Sequence, residues 1–204
     1  PQWFAAIDRP VGDNQDEFGK TIRERALNSI DKMVEWTPKT GRNRLYSMIE
    51  ARPDLVLSRQ RAWGDPLTCF TKTGGKPTDP DFLLRNGEVN ARIAAAFESE
   101  GADAWYAEGA KNRFLDGIVD PEAYEQVFDI LDVWFDSGST HAFVLRDRDD
   151  GSEDGIADLY LEGTDQHRGW FHASKLQACD TRVHAPYRGV LTHGFTLEEK
   201  GMKM

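Results

Sequence analysis

Between Phe18 and Val34 the apolar residues Ile22, Ala26, Leu27, Ile30, Met33 and Val34 return at the spacing of one helical stripe. Pro38 and Gly41 break that pattern, and Arg42 to Glu50 predicts a second short helix ending near Pro53. Leu55-Val56-Leu57 is a short apolar run between Pro53 and the polar stretch Ser58 to Arg61, the pattern of a buried strand that ends in a functional loop. The opening from Pro1 to Asp8 is aromatic and extended in character, and Pro10 to Asp16 reads as a loop. From Thr71 to Pro80 the chain turns to Gly, Pro, Lys and Asp, which marks the start of a surface insertion. A helix is predicted over Asp81 to Glu100, with Ile93, Ala94 and Phe97 on one side. Residues 101–131 show no clear period and are expected to form a connective subdomain carried on the sheet. Later, Ala157 to Leu161 reads as a strand, Glu162 to Asp165 as a polar turn, and Gln166 to Cys179 as a helix marked by Gly169, Trp170, Ala173, Leu176 and Gln177. A further strand over Arg188 to Thr192 would complete a right-handed βαβ crossover in an α/β fold built on a parallel sheet.

With 39% hydrophobic residues and six Trp among 204 residues, the chain can bury a core. It lacks a run of ~18 apolar residues, which argues against a membrane span, and it shows no signal peptide. The opening at Pro1 and the stop within the charged stretch Glu198 to Met204 suggest an excised piece. Cys69 and Cys179 lie far apart and supply neither a disulfide framework nor a zinc set, as expected of a reducing cytoplasm. The five histidines lack metal-site spacing, so no metal site is expected. A formal net charge of −10 speaks against a free-standing DNA- or RNA-binding module. Local basic strips remain open, at Lys20 to Arg25 and at Arg42 and Arg44, although charge pattern alone favours ordinary solvated faces. The carboxylates of Asp147 to Asp154 read as a solvated turn.

In open parallel sheets, ligands sit beyond the carboxyl ends of the strands. Three polar clusters are expected at such ends: Ser58 to Arg61, Glu162 to Gln166, and His193-Gly194. Gly163 would let a ligand approach the backbone closely. Asp165, acceptor-only when ionised, suits the paired hydroxyls of a ribose, and a helix starting near Gln166 would offer free amides to an anion. An Asp in that place serves equally well as a helix N-cap.

Asp158-Leu-Tyr-Leu-Glu162-Gly-Thr-Asp165-Gln-His-Arg-Gly-Trp170-Phe171 resembles the signature string of isoleucyl-tRNA synthetases. Pro53-Asp-Leu-Val-Leu-Ser58-Arg-Gln-Arg-Ala-Trp63-Gly64, Leu131-Asp-Val-Trp-Phe-Asp-Ser-Gly138 and Leu191-Thr-His-Gly-Phe195 are similar to further segments of that family. Order and spacing match along the whole chain, most weakly around 71–125. The resemblance implies a class I synthetase: the second half of a Rossmann-like parallel sheet carrying an inserted connective α+β subdomain. The division implied is a re-entry segment with packing helices over 1–52, the catalytic half over 53–70 and 131–204, and the insertion over 71–130.

It also implies a two-step reaction in the cytoplasm. Isoleucine and ATP, the latter as its Mg complex, give isoleucyl-adenylate, and the acyl group then passes to tRNA(Ile). No DNA or membrane partner is implied. By matching position, Glu162, Gly163, Asp165, Gln166, His193 and Gly194 would hold the adenylate and ATP, and Trp63, Trp170 and Gln166 would form the isoleucine pocket. For either Trp, plain core packing is the alternative. Lys203 would begin the KMSKS loop, whose second lysine lies beyond Met204; neither the HIGH string nor an editing domain is found in these residues. The segment alone is therefore expected to be inactive. Asp65, His172 and Lys175 depart from the family's usual residues. Two other readings remain, a non-catalytic tRNA-binding module and the nucleotide-binding domain of a different ligase.

Overall fold

The computed structural model describes residues 2–12, 17–152 and 154–204. Positions 13–16 of the loop expected over Pro10 to Asp16 lie outside the described residues, as do Pro1 and Glu153. In chain order the elements are β1 (Phe4–Ala5), α1 (Ile22–Lys32), β2 (Glu35–Thr37), α2 (Thr40–Glu50), β3 (Leu55–Val56), β4 (Ser58–Arg59), β5 (Phe70–Lys72), α3 (Gly87–Glu100), α4 (Ala110–Leu115), β6 (Tyr124–Gln126), β7 (Ile130–Leu131), α5 (Val133–Gly138), β8 (Ala157–Gly163), α6 (Trp170–Thr181) and β9 (Tyr187–His193). They divide into two compact units, one of residues 1–57 and 132–204 and one of residues 58–131.

The first unit is built on a three-stranded sheet in the order β2-β9-β8. Both neighbouring pairs are parallel: Leu159 faces Gly189 and Gly163 faces His193 on one side of β9, and Thr37 faces Leu191 on the other. The strand–helix–strand unit expected from Ala157 onward is present, with each strand longer than its apolar run. A parallel pair needs a crossover element, and α6 supplies it.

Helix α1 starts at a reciprocal cap. The Thr21 hydroxyl accepts from the Glu24 amide (3.1 Å), and the Glu24 carboxylate accepts from the Thr21 amide (3.1 Å). Its stripe of Ile22, Ala26 and Ile30 packs with Leu45 and Ile49 of α2 and with Leu176 and Cys179 of α6. Each Ile or Leu side chain of that cluster contributes roughly 1.5–3 kcal/mol when fully buried. A second cluster, Tyr160, Phe171, Tyr187 and Val190, joins α6 to the sheet.

Several expectations change here. Residues 35–37, between the two expected helices, form β2, a strand the sequence reading does not include. Leu55-Val56 is no member of the parallel sheet; it pairs antiparallel with Phe4-Ala5 and is only half-buried. The Leu57 amide extends that pairing by donating to the Trp3 carbonyl (2.8 Å). Helix α6 is not a one-sided stripe. Phe171, His172, Ser174, Lys175, Leu176, Gln177, Ala178 and Cys179 are all buried, so the helix runs through the interior.

Within the basic strip at Lys20 to Arg25, Lys20 is exposed as a solvated face requires, but the two arginines are engaged by the chain itself. Arg25 is buried, donating to the carbonyls of Gly19 and Cys179, and Arg23 donates to Asp8 and to the carbonyls of Ile49 and Arg52. Among the described residues, no helix is long and apolar enough to cross a membrane. Both cysteines are free.

The second unit has its own core of Phe70, Val89, Ile93, Ala96, Trp105, Phe114 and Leu115. Helix α3 begins six residues later than Asp81, because Asn86 caps it by accepting from the amides of Glu88 and Val89. Ala94 is exposed; Val89, Ile93 and Ala96 make its buried face. Two antiparallel pairs complete the unit, β5 with β6 and β4 with β7.

Candidate functional site

Strands β8 and β9 end side by side, with Gly163 opposite His193. After Gly163 the chain enters a short 3-10 turn over Thr164–His167, and α6 proper starts only at Trp170, later than the expected start near Gln166. The Asp165 side chain folds back over the strand end: a Cβ on residue 163 would lie 2.6 Å from its Oδ1. A side chain at 163 would push the Asp165 carboxylate aside, and the Gly163 backbone sits beneath that exposed carboxylate. Glu162 is likewise exposed, at the last turn of the strand.

Gln166 is half-buried, and its Oε1 accepts from the Trp170 amide (3.0 Å), closing the start of α6. That leaves its amide nitrogen as the group it can offer to a ligand. The indole edge of Trp134 packs onto Gly169, where a Cβ would meet its Cη2 and Cζ3 at 2.7 and 2.8 Å. Trp134 heads α5, whose amide at that position is capped by Asp132 (2.8 Å), and its indole is 45% exposed. Trp134 lies within a string quoted above but was not singled out there; an aromatic two residues after an Asp cap was the available signal.

Trp170 is half-buried. One face stacks on Tyr160, with ring centroids 4.0 Å apart, and its Nε1 donates to the Ser137 carbonyl (2.9 Å) and the Thr140 hydroxyl (3.1 Å). The indole is thus fixed by packing and by its own donor. Trp63, in the second unit, is 93% exposed, so core packing does not hold it. Ser58 to Arg61 also belongs to the second unit, where Ser58-Arg59 pairs antiparallel with Ile130-Leu131. The expectation that this cluster ends a parallel strand is therefore corrected; of the three clusters, the two after β8 and β9 do so.

His193 and Gly194 are exposed at the end of β9, and the His193 Nδ1 donates to the Gly194 carbonyl (2.6 Å), since a carbonyl can only accept. Beyond them the chain doubles back: Leu197 bridges Lys203, and the Met204 amide donates to the Thr196 carbonyl (3.0 Å). The exposed Lys203 ammonium lies 3.8 Å from the Phe195 ring centroid. Of the second basic strip, Arg42 pairs with Asp31, and Arg44 reaches the turn itself, donating to the Thr164 hydroxyl (2.9 Å).

Beneath the turn, His167 is buried. Burial pushes its pKa below the ordinary histidine value, as does the nearby Arg44 cation, against the opposing hydrogen bond to Thr164. Lys175, fully buried on α6, is pushed down to about 8 by burial. Among the described residues, no group of three His, Cys, Asp or Glu side chains gathers as a metal ion would require.

The arrangement is a strand-end ledge. A glycine floor lies under an exposed acceptor, glutamate and histidine stand at the strand tips, and indoles flank Gly169. It can receive a polar, hydroxyl-bearing ring against the backbone and an apolar group against the indoles.

A family model described as tRNA synthetases class I (I, L, M and V) matches residues 1–204. The isoleucine–tRNA ligase of Ruegeria pomeroyi is 75% identical over all 204 residues, which cover 21% of that protein. Those of Bartonella henselae and Mesorhizobium japonicum are 54% and 55% identical over the same 204 residues, covering 20% and 19% of their lengths. The chain thus spans about a fifth of the length of the curated relatives it matches.

Proposed function

From the premise that this chain belongs to the class I tRNA synthetases, we propose that it supplies the adenylate-holding ledge of an isoleucine–tRNA ligase. The supporting observation is the pairing of Gly163 with His193 at adjacent parallel strand ends, with the Asp165 carboxylate folded over Gly163. In this reading the sheet is the second half of a Rossmann-like domain, and residues 71–130 are its connective insertion.

The residues act by position and charge. Asp165 accepts from the two ribose hydroxyls of ATP or isoleucyl-adenylate, and Gly163 admits the ribose because nothing projects from it. Glu162 faces the aminoacyl end, where the ammonium of isoleucine needs an acceptor, and the Gln166 amide nitrogen offers a donor to the oxygens of the ligand. His193 and Gly194 border the nucleotide, and Lys203 opens the loop that meets the phosphates. Trp170, immobilised by Tyr160 and Ser137, gives the isoleucine side chain a rigid apolar wall. Trp134, whose ring edge packs against Gly169, gives a second one. For Trp63 the assignment to isoleucine rests on the resemblance alone.

In the reaction, an isoleucine carboxylate oxygen bonds to the α-phosphorus while the bond to the bridging oxygen breaks and pyrophosphate leaves. A hydroxyl of the terminal adenosine of tRNA(Ile) then takes the acyl group and AMP departs. Holding the reactants in line and balancing charge suffice, with no covalent nucleophile. Mg arrives with the ATP phosphates as part of the substrate. The cytoplasm, where tRNA is charged, is the implied compartment. The segment alone carries neither the HIGH string nor a full KMSKS loop and is expected to show no pyrophosphate exchange.

The test is titration of the full-length protein with a non-hydrolysable isoleucyl-adenylate analogue. Asp165→Ala should weaken binding roughly 10- to 100-fold, the cost of losing hydrogen bonds to a charged acceptor. Unchanged affinity would refute the assignment.

A further inference from the structure

His167 lies beneath the ledge and touches none of the groups assigned to ligand. Its ring is 1% exposed. Nδ1 donates to the Thr164 carbonyl (2.7 Å), across the turn that carries Asp165. Nε2 has no partner and is fully enclosed. Helix α2 closes over that nitrogen through Gly41, where a Cβ would come within 3.0 Å of Nε2. Trp36, at the middle of β2, lies nearly parallel to the imidazole at 6.5 Å, and Phe171 meets it edge-on at 5.6 Å. From the same helix α2, Arg44 donates to the Thr164 hydroxyl (2.9 Å). Thr164 is therefore held at both its carbonyl and its side chain.

An enclosed nitrogen without a partner is a cost that an apolar side chain would not carry. What the imidazole adds over such a side chain is the single Nδ1–H bond to the turn. Its ring is locked on three sides, so that bond fixes the carbonyl between Gly163 and Asp165 in one orientation.

We propose that His167 is a positioning residue for the adenylate-binding turn: clasped by Gly41, Trp36 and Phe171, it holds the Thr164 carbonyl and so aims the Asp165 carboxylate over Gly163, with Arg44 as a second clamp from α2. This deepens the function proposed above and rests on it. It also assigns a task to α2, which meets the turn through Gly41 against His167 and through Arg44 on Thr164. A carboxylate must be aimed to within a fraction of an ångström to meet two hydroxyls at once, and a residue outside the contact shell can supply that accuracy.

Two variants of the full-length protein separate positioning from packing. His167→Asn keeps a donor in the place of Nδ1 but loses the ring; His167→Leu keeps apolar bulk but loses the donor. Both are expected to lower the thermal unfolding midpoint. Only His167→Leu should weaken binding of the non-hydrolysable isoleucyl-adenylate analogue, by about tenfold. It should also speed hydrogen exchange of the Asp165 and Gln166 amides, whereas Asn stays within about twofold of the parent in both readings. Equal affinities and equal exchange in the two variants, or losses that track only the unfolding midpoint, would overturn the proposal. If the parent protein itself does not bind the analogue, the functional reading fails, and the exchange comparison decides the role of His167 without it.

Discussion

Lys175 shows how far a single residue can depart from what its sequence neighbourhood suggests. It is fully buried, its Nζ has no hydrogen-bond partner, and its nearest compensation is the face of Tyr187, 4.7 Å to the ring centroid. Burial lowers its pKa to about 8 from the ordinary lysine value of 10.5. The unfolded chain therefore binds more protons between those two values, and stability rises with pH across that window. Below about 8 the penalty is present in full. Lys175→Met should accordingly raise stability at pH 7 by about 2–3 kcal/mol, with the gain shrinking as pH climbs from 8 toward 10.5. Denaturant titrations at pH 7 and pH 10 check this; an equal gain at both would mean that charge burial is not the cause. Sequence reading marked Lys175 and His172 as unusual but had no means of seeing them buried. Helix α6 is enclosed on nearly every side, and no period of 3.6 distinguishes an enclosed polar residue from an exposed one. The placement of Asp165 beside Gly163 was legible because it is local: two residues apart, at the end of an apolar strand. Trp134 was not, because it meets Gly169 across 35 positions of chain.

At the scale of elements, the strong amphipathic helix and the two longer strands were readable, and the short pieces were not. Strand β2 has three residues, flanked by a helix end and Pro38, too few for alternation to show. Leu55-Val56 is apolar enough for a central strand, yet its pairing with Phe4-Ala5 depends on contacts fifty residues away. Helix starts follow local rules more faithfully. Thr21 and Glu24 form a reciprocal cap, so Thr21→Ala should cost about 1 kcal/mol in equilibrium denaturation. A loss near zero would show that packing of Ile22 and Ala26 alone fixes the start of α1. The start of α6 is different in kind, since Gly169 has no capping side chain and Gln166 reaches forward to the Trp170 amide. A side chain at 169 would displace both Gln166 and Trp134.

For the whole molecule, a net charge of −10 and a sheet of three parallel strands would by themselves leave the function open. What narrows it is convergence. The ends of β8 and β9 set Glu162 and Gly163 beside Thr192 and His193, with Asp165 folded over Gly163, and the family match covers every position of the chain. The most direct test is a crystal structure of the full-length protein with the isoleucyl-adenylate analogue bound. The account predicts both ribose hydroxyls within hydrogen-bond reach (about 3 Å) of the Asp165 carboxylate, the ribose against Gly163, and the aliphatic side chain on Trp170. A ligand seated away from the ends of β8 and β9 would contradict it.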